Sequence, residues 1–138
     1  MKLVLDASVA VKWVLPEGET QKALLLRDDY RKKTHLFIAP DTFPVEVAHA
    51  LTRAERKGVL KQQEALLKLA DVLSTAPIFH SYLTLLTRAV ELSSHHRIGV
   101  YDCLYLALAE HEQCQFVTAD QRLAALGHPH VALLANLP

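Results

Sequence analysis

Asp6, Glu46, Asp102 and Asp120 are the acids of this chain whose positions ask for chemistry. Asp6 ends the apolar run Lys2-Leu3-Val4-Leu5, and Asp120 follows Phe116-Val117-Thr118 by two residues. Glu46 lies early in a helix-like stretch. Asp102 opens an apolar one, Val100 to Ala109, whose only other polar groups are the hydroxyls of Tyr101 and Tyr105. A carboxylate beside a buried helix needs a partner. Should the four converge, they cannot all stay ionised unaided, because like charges a few ångströms apart raise one another's pKa. Hard divalent cations answer that need: Mg²⁺ and Mn²⁺ take oxygen ligands and bind through a few carboxylates plus water and substrate phosphate. One or two such ions activate a water and neutralise charge building on a phosphodiester. The expected chemistry is metal-assisted phosphodiester hydrolysis, with Asp6, Glu46, Asp102 and Asp120 as ligands.

Each acid also has a plainer reading. Asp6 and Asp120 are each placed to cap the helix that follows. Ser8 and Thr118, two residues from those acids, are local hydrogen-bond partners for them. On a helical wheel Glu46 falls about 80° from the centre of the stripe Phe43, Val47, Ala50, Leu51 and Ala54, so it reads equally as a rim glutamate paired with solvent or a base. Arg53 and Lys57 share its side, with His49 between. Asp102 in a first helical turn is favoured by the macrodipole, but that explains it only in part. The remaining acids fall on polar helix faces or ends, and Asp41 reads as a cap.

These residues are positioned by alternating elements. Strands are expected at Lys2–Leu5, Leu36–Ala39, weakly at Pro77–His80, at Phe116–Thr118 and near Val131–Leu134. The helices expected are Val9–Leu15, Glu19–Lys33, Thr42–Lys57 with Gly58 as its stop, Lys61–Leu73, Tyr82–Ser93, the apolar helix from Val100 and Gln121–Leu126. Strands apolar throughout suit a parallel sheet covered on both faces. The expected fold is α/β: a single three-layer domain over residues 1–138, with a mainly parallel sheet of about five strands flanked by helices. Ligands of such sheets lie beyond the carboxyl ends of the strands, which is where Asp6 and Asp120 stand.

The composition, 51% hydrophobic and 22% charged, is that of a globular domain. Fifteen basic and fifteen acidic residues cancel, so no global field draws in nucleic acid and a polyanion must be met by a local patch. Lys12, Arg53 and Arg97, with Ser8, are candidates for such contacts to a polyanion's phosphates, as are His95 and His96. Phosphate contacts of this kind position a backbone without reading sequence. Cys103 and Cys114 read as free cytosolic thiols, which gives a cytoplasmic expectation. No apolar run is long enough to span a membrane. His111 and Cys114 make one ligand pair, whereas structural zinc wants four.

The succession L-V-L-D-A-S, P-V-E-V-A-H-A-L, Y-D-C-L-Y-L-A-L-A and F-V-T-A-D, running over essentially the whole chain, closely resembles the PIN-domain family, and most of all its VapC-type toxins. That resemblance implies a parallel sheet of about five strands and Mg²⁺- or Mn²⁺-dependent endoribonuclease activity on RNA. It makes Asp6, Glu46, Asp102 and Asp120 the metal-binding acids, with Thr118 and Ser8 supporting them. It also implies a homodimer and a small antitoxin partner. Ala7 departs from the small hydroxyl residue usual after the first acid and leaves the acid in place. Trp13, Val14 and Leu15 and the apolar side of the Lys61–Leu73 helix are possible contact surfaces for such partners.

Two phosphoryl-transfer classes fit poorly. A receiver domain wants a phosphorylated Asp after the third strand and a late Lys, but Phe79-His80-Ser81 stands there and no lysine follows Lys68. A haloacid-dehalogenase-like phosphatase wants D-x-D where Asp6-Ala7-Ser8 stands. The other alternative is a non-catalytic PIN-like module acting through a protein or RNA partner, with its acids surviving as caps.

Overall fold

A computed structural model describes residues 1–138. The elements run β1 (Lys2–Leu5), α1 (Ala7–Ala10), a 3₁₀ turn (Val11–Trp13), α2 (Thr20–Arg31), β2 (Leu36–Pro40), α3 (Phe43–Arg56), α4 (Glu64–Leu73), β3 (Ile78–His80), α5 (Tyr82–His96), α6 (Val100–Glu112), β4 (Gln115–Thr118), α7 (Gln121–Ala124), β5 (Val131–Leu133) and a final 3₁₀ turn (Leu134–Asn136). The five strands form one sheet in the order β3-β2-β1-β4-β5, and every pairing is parallel. No helix is long and apolar enough to cross a membrane.

The sheet's register decides which side chains share a face. Val4 pairs with Ile38 and with Phe116, and Leu3 with Phe37. Successive residues of a strand point to opposite faces, so Val4, Ile38 and Phe116 line one face and Leu3 and Phe37 the other. The second face is covered by Tyr30 of α2, stacked on Phe37 at 4.5 Å, and by Trp13 at 6.3 Å. The first is covered by α6, which lies against β1, β2 and β4 and stacks Tyr105 on Phe116 at 5.3 Å. Cys103 through Ala109 are all buried: a helix apolar all round is a central one, with α5 packed along it. Extending the alternation, Asp6 and Thr118 leave their strands on the α6 face.

Several sequence expectations shift. Val9–Leu15 is not one helix: α1 spans one turn and gives way to a 3₁₀ turn at Val11. Trp13, expected as a contact surface, is 7% exposed, and its indole N–H donates to the Ala23 carbonyl at 2.9 Å. It is core because the 3₁₀ turn swings it beneath α2. Helix α4 starts at Glu64. It buries Ala65 and Val72 and leaves Leu66 and Leu67 each 72% exposed, so the apolar side read from sequence is only half covered. Helix α5 runs on through His95 and His96, with Arg97 as its left-handed cap residue, so this segment is a final helical turn and not a loop. Asp41 accepts the N–H of Tyr82, the first residue of α5, at 3.0 Å, beside the N-cap Ser81, which accepts the Leu83 N–H; Asp41 does not serve the α3 helix next to it. Gly58, at φ +79°, ends α3 in the left-handed conformation glycine tolerates.

Candidate active site

The carboxyl ends of β1 and β4 and the first turns of α3 and α6 meet around a cavity of about 620 Å³ whose lining includes Asp6, Ser8, Glu46, Asp102 and Asp120. Asp6 is 5% exposed and its backbone N–H continues the ladder to the Val117 carbonyl at 3.1 Å. It occupies the N-cap position of α1, but its side chain makes no cap hydrogen bond. Instead Oδ2 accepts the Thr118 hydroxyl at 2.6 Å and the Ser8 hydroxyl at 2.9 Å. Those hydroxyls are themselves oriented: Thr118 accepts the Asp120 N–H and Ser8 the Ala119 N–H, leaving each with its one proton for Asp6. Thr118 therefore serves the acid on the neighbouring strand. Burial pushes the Asp6 carboxyl up, against the two hydroxyls, and Asp120 adds to the rise.

Glu46 is held in the same way. Its Oε2 accepts Tyr105 OH at 2.9 Å and the Thr42 hydroxyl at 3.0 Å. Half-buried and without a basic partner, it is pushed up to about 7, first by burial and then by Asp6 and Asp102, against those two donors. Asp6 and Glu46 thus share one design. One carboxylate oxygen takes two hydroxyl donors, and the other, Oδ1 or Oε1, has no protein partner. Asp102 is raised to about 6 by burial first and by Asp6 and Asp120 next, with Arg122 pulling the other way.

Asp120 differs. It is a true N-cap, accepting the Arg122 N–H at 2.9 Å, and the Arg122 side chain returns to both of its oxygens at 3.3 and 3.1 Å. Burial acts to raise its carboxyl, but the hydrogen bonds and charge of Arg122 outweigh burial and leave it lowered.

This donor set fits a hydrated Mg²⁺ or Mn²⁺. It is all oxygen, and Asp6 and Glu46 each present an oxygen free of protein partners. No three of the chain's His, Cys, Asp and Glu side chains stand close enough to close on one ion. An ion that keeps several waters and binds through one or two carboxylates is what the spacing suits.

The sequence alone assigned no role at the site to several groups that hold or flank these acids. Tyr105 and Thr42 anchor Glu46, Arg122 pairs with Asp120, and His49, Val45 and Tyr101 line the cavity. Tyr105 carried a signal, since a tyrosine hydroxyl inside an apolar helix must find a partner. Lys12, Arg53 and Arg97 do not line the cavity. His96 instead packs at 6.3 Å from His128, whose ring meets Glu110 at 3.0 Å.

Comparison with known proteins bears on the family and the fold. The family model of the PIN domain matches residues 3–129. The chain is 33% identical over 126 residues to Ribonuclease VapC3 of Pyrobaculum aerophilum, covering 90% of this chain and 93% of that one. Its fold is similar to the crystal structure of PAE2754 from Pyrobaculum aerophilum (TM-score 0.73, 19% identity, 98% and 93% of the chains). It is also similar to a toxin–antitoxin complex from Klebsiella pneumoniae (TM-score 0.61, 18% identity, 96% and 97%).

Proposed function

The chain belongs to the PIN-domain family, and from that premise we propose that it is a metal-dependent endoribonuclease, the toxin of a toxin–antitoxin pair. The observation that carries the reading is the shared anchoring of Asp6 and Glu46, each with one oxygen fixed by two hydroxyls and one left without a protein partner. The second oxygen of each is not a buried, unpartnered atom, so it stays open to water or to a cation entering the cavity. Bound Mg²⁺ or Mn²⁺, one or two ions, would supply an activated water and offset charge on the phosphodiester.

The chain's own residues do the rest. Thr118 and Ser8 fix the Asp6 carboxylate, and Tyr105 and Thr42 fix that of Glu46. Asp102 carries the third raised carboxyl, so a cation entering displaces protons as it binds. Arg122, 86% exposed in its side chain, is placed to release Asp120 and meet a substrate phosphate. Lys12, Arg53 and Arg97 lie outside the cavity and would touch RNA only further along its backbone.

The relative named a ribonuclease and the neighbour solved as a toxin–antitoxin complex support an RNA substrate and a small antitoxin partner. A homodimer and a cytoplasmic setting belong to the same reading. The exposed Leu66 and Leu67 of α4 are candidate contacts for a second protein chain. Calorimetric titration of Mn²⁺ into the metal-free protein tests the proposal. It is expected to show binding that Asp6→Asn and Glu46→Gln each weaken about tenfold or more, within the loss expected where ligands or their supports are removed. Absent binding, or binding unchanged in both variants, would sink it.

A further inference from the structure

A second cavity, of about 480 Å³, adjoins the carboxylate cavity and shares Val45 and Tyr101 with it as a common wall. Its character is different: Tyr82, Leu86, Val100 and Leu104 make it apolar, and Asp41 adds one acid at its edge. The side chains around the shared wall are open to solvent, Val45 72%, Tyr101 59% and Tyr82 39% exposed. On α6, Tyr101 is the exposed large hydrophobic side chain. The residues from Cys103 to Ala109 are buried, whereas Tyr101, one residue before Asp102, stands out at the rim and packs into no core. A cavity that handles only phosphate and cations has no use for an exposed aromatic ring. In RNA, however, every phosphate is flanked by two bases, so a phosphate held at the acids brings a base to whatever lies next to them.

We propose that this second cavity is a nucleobase subsite, in which an unpaired base flanking the scissile phosphate stacks on Tyr101. The inference rests on the ribonuclease reading and deepens it. Stacking on exposed aromatic rings is the common means of holding single-stranded RNA, because every base has a π-face. Bases within an A-form duplex are not available to such a ring, whereas loops and bulges can splay theirs out. Asp41 adds an acceptor: its Oδ1 takes the Tyr82 N–H at 3.0 Å, and its other oxygen is left to accept an N–H from a base edge. The subsite thus selects RNA that is unpaired beside the cut and gives the enzyme a base preference at that position.

Two measurements on the full chain test this. In the first, neutral nucleosides (adenosine, guanosine, cytidine and uridine), which the acids do not repel, are titrated and the Val45 methyl, Tyr82 ring and, where present, Tyr101 ring resonances of the cavity followed by NMR. At least one nucleoside is expected to shift them saturably, and Tyr101→Phe to retain that binding while Tyr101→Ala loses it. In the second, short single-stranded RNAs are cleaved with Mn²⁺. Tyr101→Ala is expected to raise KM about tenfold, the effect typical of losing one stacked base, and to flatten the preference for the nucleotide beside the cut. Tyr101→Phe keeps both.

The proposal is overturned if no nucleoside moves Tyr101, or if Tyr101→Ala leaves KM and the base preference unchanged. It is equally overturned if Tyr101 shifts with protein concentration and not with nucleoside, which would make the cavity a face for a second copy. The two readings fail separately. RNA left intact while nucleosides still bind at Tyr101 refutes the nuclease and keeps the subsite; cleavage without nucleoside binding does the reverse.

Discussion

Two hydroxyls on one carboxylate oxygen are what make Asp6 and Glu46 more than caps or rim charges, and they have a consequence that can be measured without metal. Burial holds Glu46 up to about 7 and Asp102 to about 6, and Asp6 is raised as well. For an acid whose folded pKa lies above its unfolded value, stability is fullest below the unfolded pKa and is lost as pH rises through the folded one. The metal-free protein should therefore lose stability through these groups as pH climbs from about 4 to about 7, by a total on the order of 1 to 3 kcal/mol. Thermal melts in EDTA should show Tm falling from pH 5 to pH 8. Glu46→Gln should flatten that fall. Tyr105→Phe should steepen it, because the Tyr105 hydroxyl favours the Glu46 anion. A Tm that rises over this range in wild type, or the same slope in all three proteins, would contradict the account.

The elements were readable where they are apolar throughout. Strands β1, β2 and β4 follow from Leu3–Leu5, Phe37–Ala39 and Phe116–Thr118, and α6 from its unbroken apolar run. What was not readable depends on partners distant in sequence. Trp13 becomes core only because α2 covers it, and Asp41 reaches the Tyr82 N–H at the start of α5 only because β3 runs beside β2. Arg27 is the clearest case: in a charged helix it reads as solvent-facing, yet it is 4% exposed. Its guanidinium donates to Thr75 Oγ1 at 2.9 Å and to Asp71 at 2.6 Å (carbonyl) and 3.0 Å (carboxylate), and lies 4.6 Å from the Trp13 ring centroid. It ties α2 to the end of α4. Arg27→Ala should cost about 2 to 4 kcal/mol, since it strands buried acceptors and opens a gap beside Trp13. Urea unfolding would read this as a lower midpoint at unchanged slope; a loss under about 0.5 kcal/mol, the range of ordinary surface changes, would mean the clamp is idle.

At the scale of the molecule, the parallel sheet gathers acids from β1, α3, α6 and the end of β4 at one edge, where neither net charge nor any single motif announces them. The sequence placed Asp6 and Asp120 at strand ends and Asp102 at a helix start. It left Glu46 open, because a helical wheel shows the rim but not the Tyr105 hydroxyl that meets it there. With fifteen acids against fifteen bases, the proposed RNA substrate would be drawn by local contacts and by cations at the acids, so the proposed activity should fall with salt. The most direct test is cleavage of single-stranded RNA by the purified chain, free of any antitoxin, with Mn²⁺, with EDTA, and with Asp102→Asn in Mn²⁺. The expected result is internal cleavage in Mn²⁺, none in EDTA, and a loss of about a hundredfold or more in Asp102→Asn, as for removal of one group that stabilises transition-state charge. RNA left intact by wild type in Mn²⁺, or cut equally in EDTA and by Asp102→Asn, would contradict the assignment.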